Sequence, residues 1–509
     1  MTTSKEKPQV LLIYPKTGLD IAAAISPPHG ILAVAAPIAH AGYRVTVLDQ
    51  RVQTISEEIL RDLISSELIC IGFSTMSGNQ IRHALHIAKL LRRLTDGKVP
   101  FIWGGAHPSV IPEQTLDNEN VDLVVIGEGD ETFIEVVKAI EAKGDFTNIS
   151  GLAYRKGTET IITATRPLID VNTLLPTPWE LIDVEQYVHK NNDMYLKGCA
   201  RVLDLGQTSR GCPFSCGFCS SASIRGRKWR PLTAARSLEM IKEGVRRFNL
   251  DGFWLRDDEF YIDRSRAHEI CDGIVANNLG TKFYTAGTRV DVFLKSTHEE
   301  LIALKNAGAV NLKFGAESGS ARILKMMNKG ITPEDTLEAN RRCMKYGFLP
   351  SYTLLIGYPT ETFEEVDMTI DLGYRLMAEN PDAHLETIST FTAFPGTPDY
   401  GLALSYGLTP PKTFEGWADW TLDDYDTDGS KLPWLTAEQR QWVGNISYMS
   451  ILAESMEGVV RSIGGGWLNP ALVRCSTIFS RYFRYRLKNK CYRNVPELAL
   501  VRWLRKKLF

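Results

Sequence analysis

The chain has 509 residues, of which 44% are hydrophobic and 23% are charged, and its formal net charge at pH 7 is −2. This length predicts two or three domains, and the composition is typical of globular proteins. The near-zero net charge argues against a general electrostatic attraction to nucleic acid, and we expect no nucleic-acid partner.

Cysteine usage and hydropathy predict the compartment. Six of the nine cysteines are scattered along the chain, which argues against a disulfide framework and indicates reducing conditions. The amino terminus has no signal-peptide pattern, and no apolar stretch has the length of a membrane-spanning helix. We therefore expect a cytoplasmic protein.

Residues 8–145 alternate between short apolar runs and amphipathic segments. Such runs, beginning at residues 10–14, predict a doubly wound parallel sheet and hence a Rossmann-like α/β domain. Ligands of these sheets bind beyond the carboxyl ends of the strands. Three loops there are rich in glycine or hydroxyl residues, at positions 74–79, 104–108 and 127–132. Taken alone, each loop is explained most simply as the end of a strand. Three such loops in one sheet favour a bound ligand.

The ligand is not expected to be a dinucleotide, because the first strand is not followed by the G-x-G-x-x-G spacing. Residues 146–200 are predicted to be a connector. It begins with a hairpin around residues 156–158, and the segment Pro176-Thr177-Pro178 indicates an extended linker.

Residues 201–400 contain a second alternating pattern. Six strands with intervening helices predict a partial (β/α)6 barrel, shorter than the eight-unit TIM barrel. The strands are expected at residues 202–207, 252–255, 282–286, 311–315, 351–356 and 385–392. Chemistry in such a barrel lies at the carboxyl ends of the strands.

The loop after the first of these strands contains Cys212-Pro-Phe-Ser-Cys216-Gly-Phe-Cys219. Three thiolates in C-x3-C-x2-C spacing can bind three irons of a [4Fe–4S] cluster and leave the fourth iron open to a substrate or cofactor. A structural zinc site is the alternative, but zinc needs a fourth Cys or His ligand. The only nearby candidate, Cys199, has the wrong spacing.

The cysteine motif followed by an incomplete barrel resembles the radical S-adenosylmethionine (SAM) superfamily. Residues 1–145 resemble its cobalamin-binding N-terminal domain, with Pro27-Pro28-His29-Gly30 opening the first helix. The resemblance covers residues 8–400. It implies that SAM chelates the open iron and that one electron cleaves SAM to a 5′-deoxyadenosyl radical. It also implies an external low-potential electron donor such as flavodoxin or ferredoxin.

The resemblance further implies which residues contact SAM. Phe218 would pack on the adenine, Asp258 would bind the amino group, and Arg289 would pair with the carboxylate. Polar contacts to SAM would come from Glu317 and Ser318, and Gly357 would let the adenine approach the backbone. The alternatives are core packing for the aromatic, solvated charges for the carboxylates and a simple turn for the glycine.

The cobalamin site is less sharply defined. The D-x-H-x-x-G signature of a cobalt-binding histidine is not apparent, and His29 and His107 lie in loops without that context. We therefore expect cobalt to lack a histidine ligand from the protein. The residues predicted to bind cobalamin come from the three loops of the first domain: Ser74, Gly105, Glu128 and Thr132.

Residues 401–509 are predicted to be mainly helical and basic. From Arg474 onward, Lys and Arg residues alternate with aromatic ones such as Phe479 and Trp503, and Glu497 is the only acid. This pattern fits a helix on a membrane surface, a contact with an acidic or greasy substrate, or a solvated helix packed on the barrel. The sequence leaves these three open, and membrane association is the alternative to a freely cytoplasmic location.

The resemblance implies a C-methyltransferase that acts on an unactivated carbon of a small-molecule or lipid-like biosynthetic intermediate. Some relatives instead catalyse oxidative cyclisation or rearrangement without methyl transfer, and the sequence does not separate these reactions. A hypothesis of another class is a non-catalytic corrinoid-binding sensor. The intact cysteine motif and the full set of barrel strands argue against it.

Overall fold

A computed structural model describes residues 8–18, 25–190, 196–420, 431–454 and 470–498. The end of the predicted basic tail, residues 499–509, lies outside the described residues. The described chain forms two α/β domains and a helical carboxyl-terminal region, as predicted.

The first domain is built on a seven-stranded sheet with the order β2-β1-β3-β4-β5-β6-β7. Strands β1 to β5 are parallel, which confirms the predicted Rossmann-like sheet. The elements in chain order are β1 (Gln9–Tyr14), α1 (His29–His40), β2 (Arg44–Asp49), α2 (Glu57–Leu63), β3 (Leu68–Ser74), α3 (Asn79–Leu94), β4 (Phe101–Gly104), α4 (Ala106–Val110), α5 (Pro112–Leu116), β5 (Leu123–Val125), α6 (Gly129–Glu141), β6 (Leu152–Lys156) and β7 (Glu159–Ile162).

Both faces of this sheet are buried. Alternate residues of β1 enter different cores, so that Leu11 and Ile13 lie in one cluster and Val10 and Leu12 lie in the other. All four side chains have no exposed surface, which explains why the strand is apolar throughout. The strand order reverses direction between β1 and β3, and this is the point at which such sheets bind ligands.

The hairpin predicted in the connector is part of the first sheet. Strand β6 pairs antiparallel with β5, and β7 pairs antiparallel with β6. The segment predicted as a connector, residues 146–200, therefore begins as an extension of the first domain. Its remainder is mostly irregular, with short 3-10 turns at Val171–Thr173, Trp179–Leu181 and Val184–Gln186.

The second domain contains the six predicted parallel strands in the order β16-β15-β14-β13-β12-β9, with β8 added antiparallel at the edge. This confirms the partial barrel. Its elements are β8 (His189–Lys190), β9 (Arg201–Asp204), β10 (Ser209–Arg210), α7 (Ser221–Arg225), β11 (Arg230–Pro231), α8 (Ala234–Arg247), β12 (Gly252–Leu255), α9 (Arg264–Ala276), β13 (Lys282–Thr288), α10 (Val290–Phe293), α11 (His298–Asn306), β14 (Ala309–Glu317), α12 (Ala321–Met326), α13 (Pro333–Tyr346), β15 (Leu349–Ile356), α14 (Phe363–Glu379) and β16 (His384–Thr390).

The carboxyl-terminal region packs on the last barrel strand. It contains α15 (Pro398–Ser405), a 3-10 turn (Glu415–Asp419), α16 (Ala437–Glu454) and α17 (Pro470–Lys488). The Ser450 hydroxyl of α16 accepts a hydrogen bond from the Ile388 amide of β16 at 3.0 Å, and Ser480 of α17 donates to the Leu452 carbonyl at 3.0 Å. Within the described residues, no helix combines the length and hydropathy needed to cross a bilayer.

Two groups of charges with largely buried carboxylates hold the domains together. Arg230 after the cysteine loop binds Glu128 of the first domain through two hydrogen bonds of 2.7 and 2.8 Å, and Arg210 binds Asp130 in the same way at 2.8 and 2.9 Å. Two parallel hydrogen bonds from one guanidinium to one carboxylate require a specific geometry. These two ion pairs therefore fix the relative orientation of the domains.

The second group centres on Asp204, which is fully buried at the end of β9. Its carboxylate lies 3.2 Å from His29 Nε2 at the start of α1 and accepts a 2.5 Å hydrogen bond from Arg256 Nε. Burial acts to raise the pKa of Asp204, but the charges of His29 and Arg256 outweigh it and hold that pKa well below its ordinary value. Arg256 also binds the Ser26 hydroxyl of the first domain.

We predict that Glu128→Gln lowers the free energy of unfolding by about 3 kcal/mol, because it leaves the guanidinium of Arg230 without its counter-charge in a desolvated interface. Glu131→Gln is the matched control, since Glu131 pairs with Arg166 at 3.1 Å but has a side chain that is 49% exposed. This control should cost less than about 1 kcal/mol. Differential scanning calorimetry measures both changes, and equal unfolding midpoints for the two variants would contradict the interface role.

Candidate active site

The cysteine loop lies at the carboxyl ends of the barrel strands and is held by backbone hydrogen bonds. The Gly217 amide donates to the Met327 carbonyl at 2.8 Å, and the Gly217 carbonyl accepts from the Asp399 amide at 3.0 Å. A β-carbon at position 217 would lie 2.2 Å from Asp399 Oδ1, so the loop requires glycine between its second and third cysteines. The Ser215 carbonyl of the cysteine loop accepts from the side chain of Asn328, which follows α12, at 3.0 Å.

The three cysteines Cys212, Cys216 and Cys219 are free thiols on one loop. Burial raises the pKa of Cys212 to about 11 and also raises that of Cys219, so deprotonation here calls for a bound metal, which ionises its thiol ligands. Among the described residues, no three His, Cys, Asp or Glu side chains converge on a single ion. A cubane suits the spacing of the three cysteines, because each thiolate binds a different iron.

Arg289, at the end of β13, points at the cysteine loop. Its Nη1 donates to Cys216 Sγ at 3.1 Å, and its guanidinium lies 3.8 Å from the centre of the Phe214 ring. Its other nitrogens are also engaged, with Nε on Asp291 at 2.8 Å and Nη2 on the Lys329 carbonyl at 2.5 Å. The structure therefore places Arg289 beside Cys216, a predicted cluster ligand, and its contact with the SAM carboxylate also stays a prediction.

Glu317 and Phe218 are brought together by a lysine that sequence reasoning missed. Lys329 Nζ binds Glu317 Oε1 at 2.6 Å and lies 5.6 Å from the centre of the Phe218 ring. Glu317 has a left-handed backbone with φ of 64°, which is uncommon for a residue other than glycine and is typical of functional sites. The signal available in the sequence was the pair of turn-forming residues in Asn328-Lys329-Gly330. In the structure, both of these turn-forming residues have positive φ.

Ser318 and Gly357 occupy structural positions. Ser318 has no exposed surface, and its hydroxyl contacts Thr369 Oγ1 at 3.1 Å. The Gly357 amide donates to Glu361 Oε2 at 2.6 Å, and its carbonyl accepts from Trp434 Nε1 at 3.1 Å. Their side-chain and backbone polar groups are thus used within the protein, and their contacts with SAM stay predictions.

The three acids after β12 differ in their surroundings. Asp257 is buried and accepts from Thr208 Oγ1 at 2.9 Å, and Glu259 is buried and accepts the Arg289 amide at 2.5 Å. Burial raises the pKa of Glu259 to about 8. Asp258 is partly exposed and accepts from Ser221 at 2.9 Å, two residues beyond the last cysteine. Of the three carboxylates, the one predicted to bind SAM is therefore the one with open surface beside the cysteine loop.

Ser74 and Gly105 lie side by side at the ends of β3 and β4. A β-carbon at Gly105 would be 3.0 Å from Ser74 Oγ and 2.6 Å from the Thr75 carbonyl, so the ends of β3 and β4 can lie this close only because residue 105 is glycine. Thr75 Oγ1 and His107 Nε2 are buried here without a hydrogen-bond partner among the described residues. Buried polar atoms without a partner at this edge of the sheet suit a ligand with amide groups, as cobalamin has.

Glu128 and Thr132 are engaged elsewhere. Glu128 binds Arg230 across the domain interface, and the buried Thr132 hydroxyl donates to the Ser150 carbonyl at 3.0 Å and accepts from Arg166 Nε at 2.7 Å. Their contacts with cobalamin stay predictions. Glu128 also helps to orient the two domains. The sequence did not reveal this role, because the partner of Glu128 lies 102 residues away along the chain.

His29 and His107 were expected in loops, but His29 begins α1 and His107 lies in α4, and both make protein contacts. His29 faces Asp204, and His107 Nδ1 lies 2.8 Å from Ser77 Oγ beneath the rings of Phe414 and Trp417. Burial lowers the pKa of His107 to about 4, so this imidazole is neutral at physiological pH. The expectation that cobalt lacks a histidine ligand stays a prediction.

Comparison with known proteins identifies both domains. Residues 16–137 match the model of the B12 binding domain, and residues 207–373 match that of the radical SAM superfamily. An uncharacterized methyltransferase of Pyrococcus horikoshii is 29% identical over 449 residues, which span 87% of this chain and 92% of that protein. The anaerobic magnesium-protoporphyrin IX monomethyl ester cyclase of Synechocystis is 26% identical over 69% of this chain and 68% of the relative.

A solved structure shares the whole architecture. The cobalamin-dependent SAM radical enzyme OxsB, with aqua-cobalamin and SAM bound, matches with a TM-score of 0.72 and 19% identity. The match covers 99% of this chain and 75% of that one. At this identity the likeness establishes the fold, and the two family domains establish the cofactors. The chain belongs to the cobalamin-dependent enzymes of the radical SAM superfamily, whose cofactors are a [4Fe–4S] cluster, SAM and cobalamin.

Proposed function

We propose that the protein is a C-methyltransferase that adds a methyl group to an unactivated carbon of a small-molecule or lipid-like biosynthetic intermediate. One observation carries the joint use of both cofactors: the carboxyl edge of the sheet in the B12-binding domain faces the cysteine loop of the barrel. Both interdomain charge groups lie at these two edges, since Asp130 follows β5 and Asp204 ends β9. A substrate between the edges would meet both cofactors.

The relative from Pyrococcus horikoshii supports methyl transfer, because its similarity extends over nearly its whole length and it is named a methyltransferase. The relative from Synechocystis favours a second candidate, oxidative cyclisation or rearrangement without methyl transfer. Both reactions would use the same cluster and the same corrin, so the architecture alone does not separate them.

When bound, the cluster supplies the electron that cleaves SAM, and cobalamin carries the methyl group. The residues of this chain would hold and shield these groups. Cys212, Cys216 and Cys219 would ligate three irons, and Arg289 would donate to the Cys216 sulfur. A hydrogen bond to a ligand sulfur is one of the means by which proteins set a cluster potential. The rings of Phe214 and Phe218 would limit the access of water.

Polar groups around Glu317 would bind the amino-acid part of SAM. The Lys329 ammonium neutralises the Glu317 carboxylate at 2.6 Å, and Asp258 provides a second carboxylate next to the loop. An ammonium group and a carboxylate of a ligand can each find an opposite charge here.

Radical SAM enzymes need an external electron donor and act on a small-molecule substrate. We propose a flavodoxin or a ferredoxin as the donor, because cleavage of a sulfonium requires an electron from the low end of the range of iron–sulfur potentials.

We predict that Cys216→Ala abolishes formation of 5′-deoxyadenosine and lowers the iron content of the reconstituted protein, because one iron loses its ligand. The cobalamin content should stay at the wild-type level, since the B12-binding domain is untouched. Cys491→Ala is the matched control, as Cys491 is an exposed thiol far along the chain. Iron analysis, the corrin absorption spectrum and chromatography of the products measure these outcomes. Continued SAM cleavage by Cys216→Ala would remove the cluster assignment.

We predict that the holoenzyme, reduced under anaerobic conditions with SAM and its substrate, forms S-adenosylhomocysteine and 5′-deoxyadenosine in nearly equal amounts. Methyl transfer consumes one SAM for the methyl group and a second for hydrogen abstraction. Chromatography with mass detection measures the ratio of the two products. 5′-Deoxyadenosine without S-adenosylhomocysteine would instead support cyclisation or rearrangement. The absence of both products would indicate a corrinoid-binding sensor.

A further inference from the structure

Helix α17 has two apolar faces. One face packs against the body of the protein, where Phe483 and Leu487 have almost no exposed surface and Ser480 binds α16. A helix of a globular protein normally needs only this one apolar stripe, and its opposite side is polar. The opposite side of α17 departs from that pattern.

The second face consists of large apolar and aromatic side chains exposed to solvent. They are Ile478 with 65%, Phe479 with 48%, Tyr482 with 42% and Tyr485 with 65% of their surface exposed. Successive members of this set are one, three and three residues apart, which places all four on one side of the helix. Every other helix in the described ranges has at most one large hydrophobic residue this exposed, so α17 holds the only contiguous patch on a described helix. Contiguous exposed apolar patches of this kind mark interaction sites.

Basic residues border this face. Arg474, Arg481 and Lys488 follow one another at intervals of seven residues, which corresponds to two helical turns, and all three are exposed. None of the three has an ion-pair partner among the described residues, in contrast to Arg484, which binds Glu454 at 2.7 Å. Residues 474–509 contain eleven Lys or Arg and one acid, whereas the whole chain has a net charge of −2.

We propose that α17 lies on the surface of a membrane that contains anionic lipids. Its apolar face would enter the boundary between headgroups and acyl chains, and its basic border would contact the lipid headgroups. Charge complementarity selects this partner. A nucleic acid would use the basic residues but would leave Ile478 and Phe479 in water, and a bilayer satisfies both. This inference goes beyond the proposed function, because it concerns where the enzyme works rather than its reaction.

The test uses the reconstituted holoenzyme and flotation of vesicles made of phosphatidylcholine alone or with 30% phosphatidylserine. We expect binding to the anionic vesicles and little binding to the neutral ones, with affinity falling as salt is raised. Ile478→Glu should weaken binding at least tenfold, because it places a charge in the apolar face. Arg481→Glu should weaken binding at least fivefold, because each basic residue near an anionic surface contributes about this factor.

Met344→Glu is the matched control, since Met344 is 48% exposed on α13, outside the patch. It should bind anionic vesicles as the wild type does. Failure of the wild type to float with anionic vesicles would overturn the proposal. The proposal would also be overturned if Ile478→Glu bound anionic vesicles as tightly as the wild type does. Equally tight binding of the wild type to a DNA duplex, with a dependence on Arg481 alone, would overturn it as well. Formation of 5′-deoxyadenosine by Ile478→Glu should equal that of the wild type, so the outcome is separate from the reaction.

Discussion

The carboxylate of Asp204 joins the two catalytic halves of the molecule. It is fully buried at the end of the first barrel strand, where an unpaired charge would be costly. Its partners are His29 from the first domain and Arg256 from the next barrel strand. The ends of two parallel sheets are thereby held facing each other. Because a substrate of such an enzyme must reach both a corrin and an iron–sulfur cluster, this facing arrangement is the constraint on which the remaining geometry depends.

The sequence predicted the parts of the molecule that are local. The six barrel strands, the parallel sheet and the cysteine loop all follow from short patterns of apolar residues, glycines and cysteines, and the structure contains each of them. Side-chain partners could not be predicted in the same way. Lys329 meets Glu317 across 12 positions and Arg289 meets Cys216 across 73, and such contacts depend on strand register and loop direction. A motif indicates that a residue lies near a site, but it does not indicate where its side chain points.

The carboxyl-terminal region completes both halves of the site, although its sequence carried little signal. Trp417 covers His107 beside the edge of the first sheet, with ring centres 5.2 Å apart. Trp434 donates to the Gly357 carbonyl at the end of β15, and a β-carbon at that glycine would lie 3.4 Å from Leu432 Cδ1. Relatives that share the two domains differ in their named reactions. The residues that cover the two edges are therefore a natural place for differences in substrate selection.

The hairpin of β6 and β7 affects whether a strand of another copy of the protein can add to the first sheet. A parallel sheet that ended at β5 would offer a row of free amide and carbonyl groups to any passing strand. Here the sheet instead ends in a four-residue strand that begins with Glu159. Short, charged border strands are poor templates for the addition of another chain. The same segment that leads from one domain to the next thus also makes this edge of the sheet a poor site for the addition of a strand from another copy.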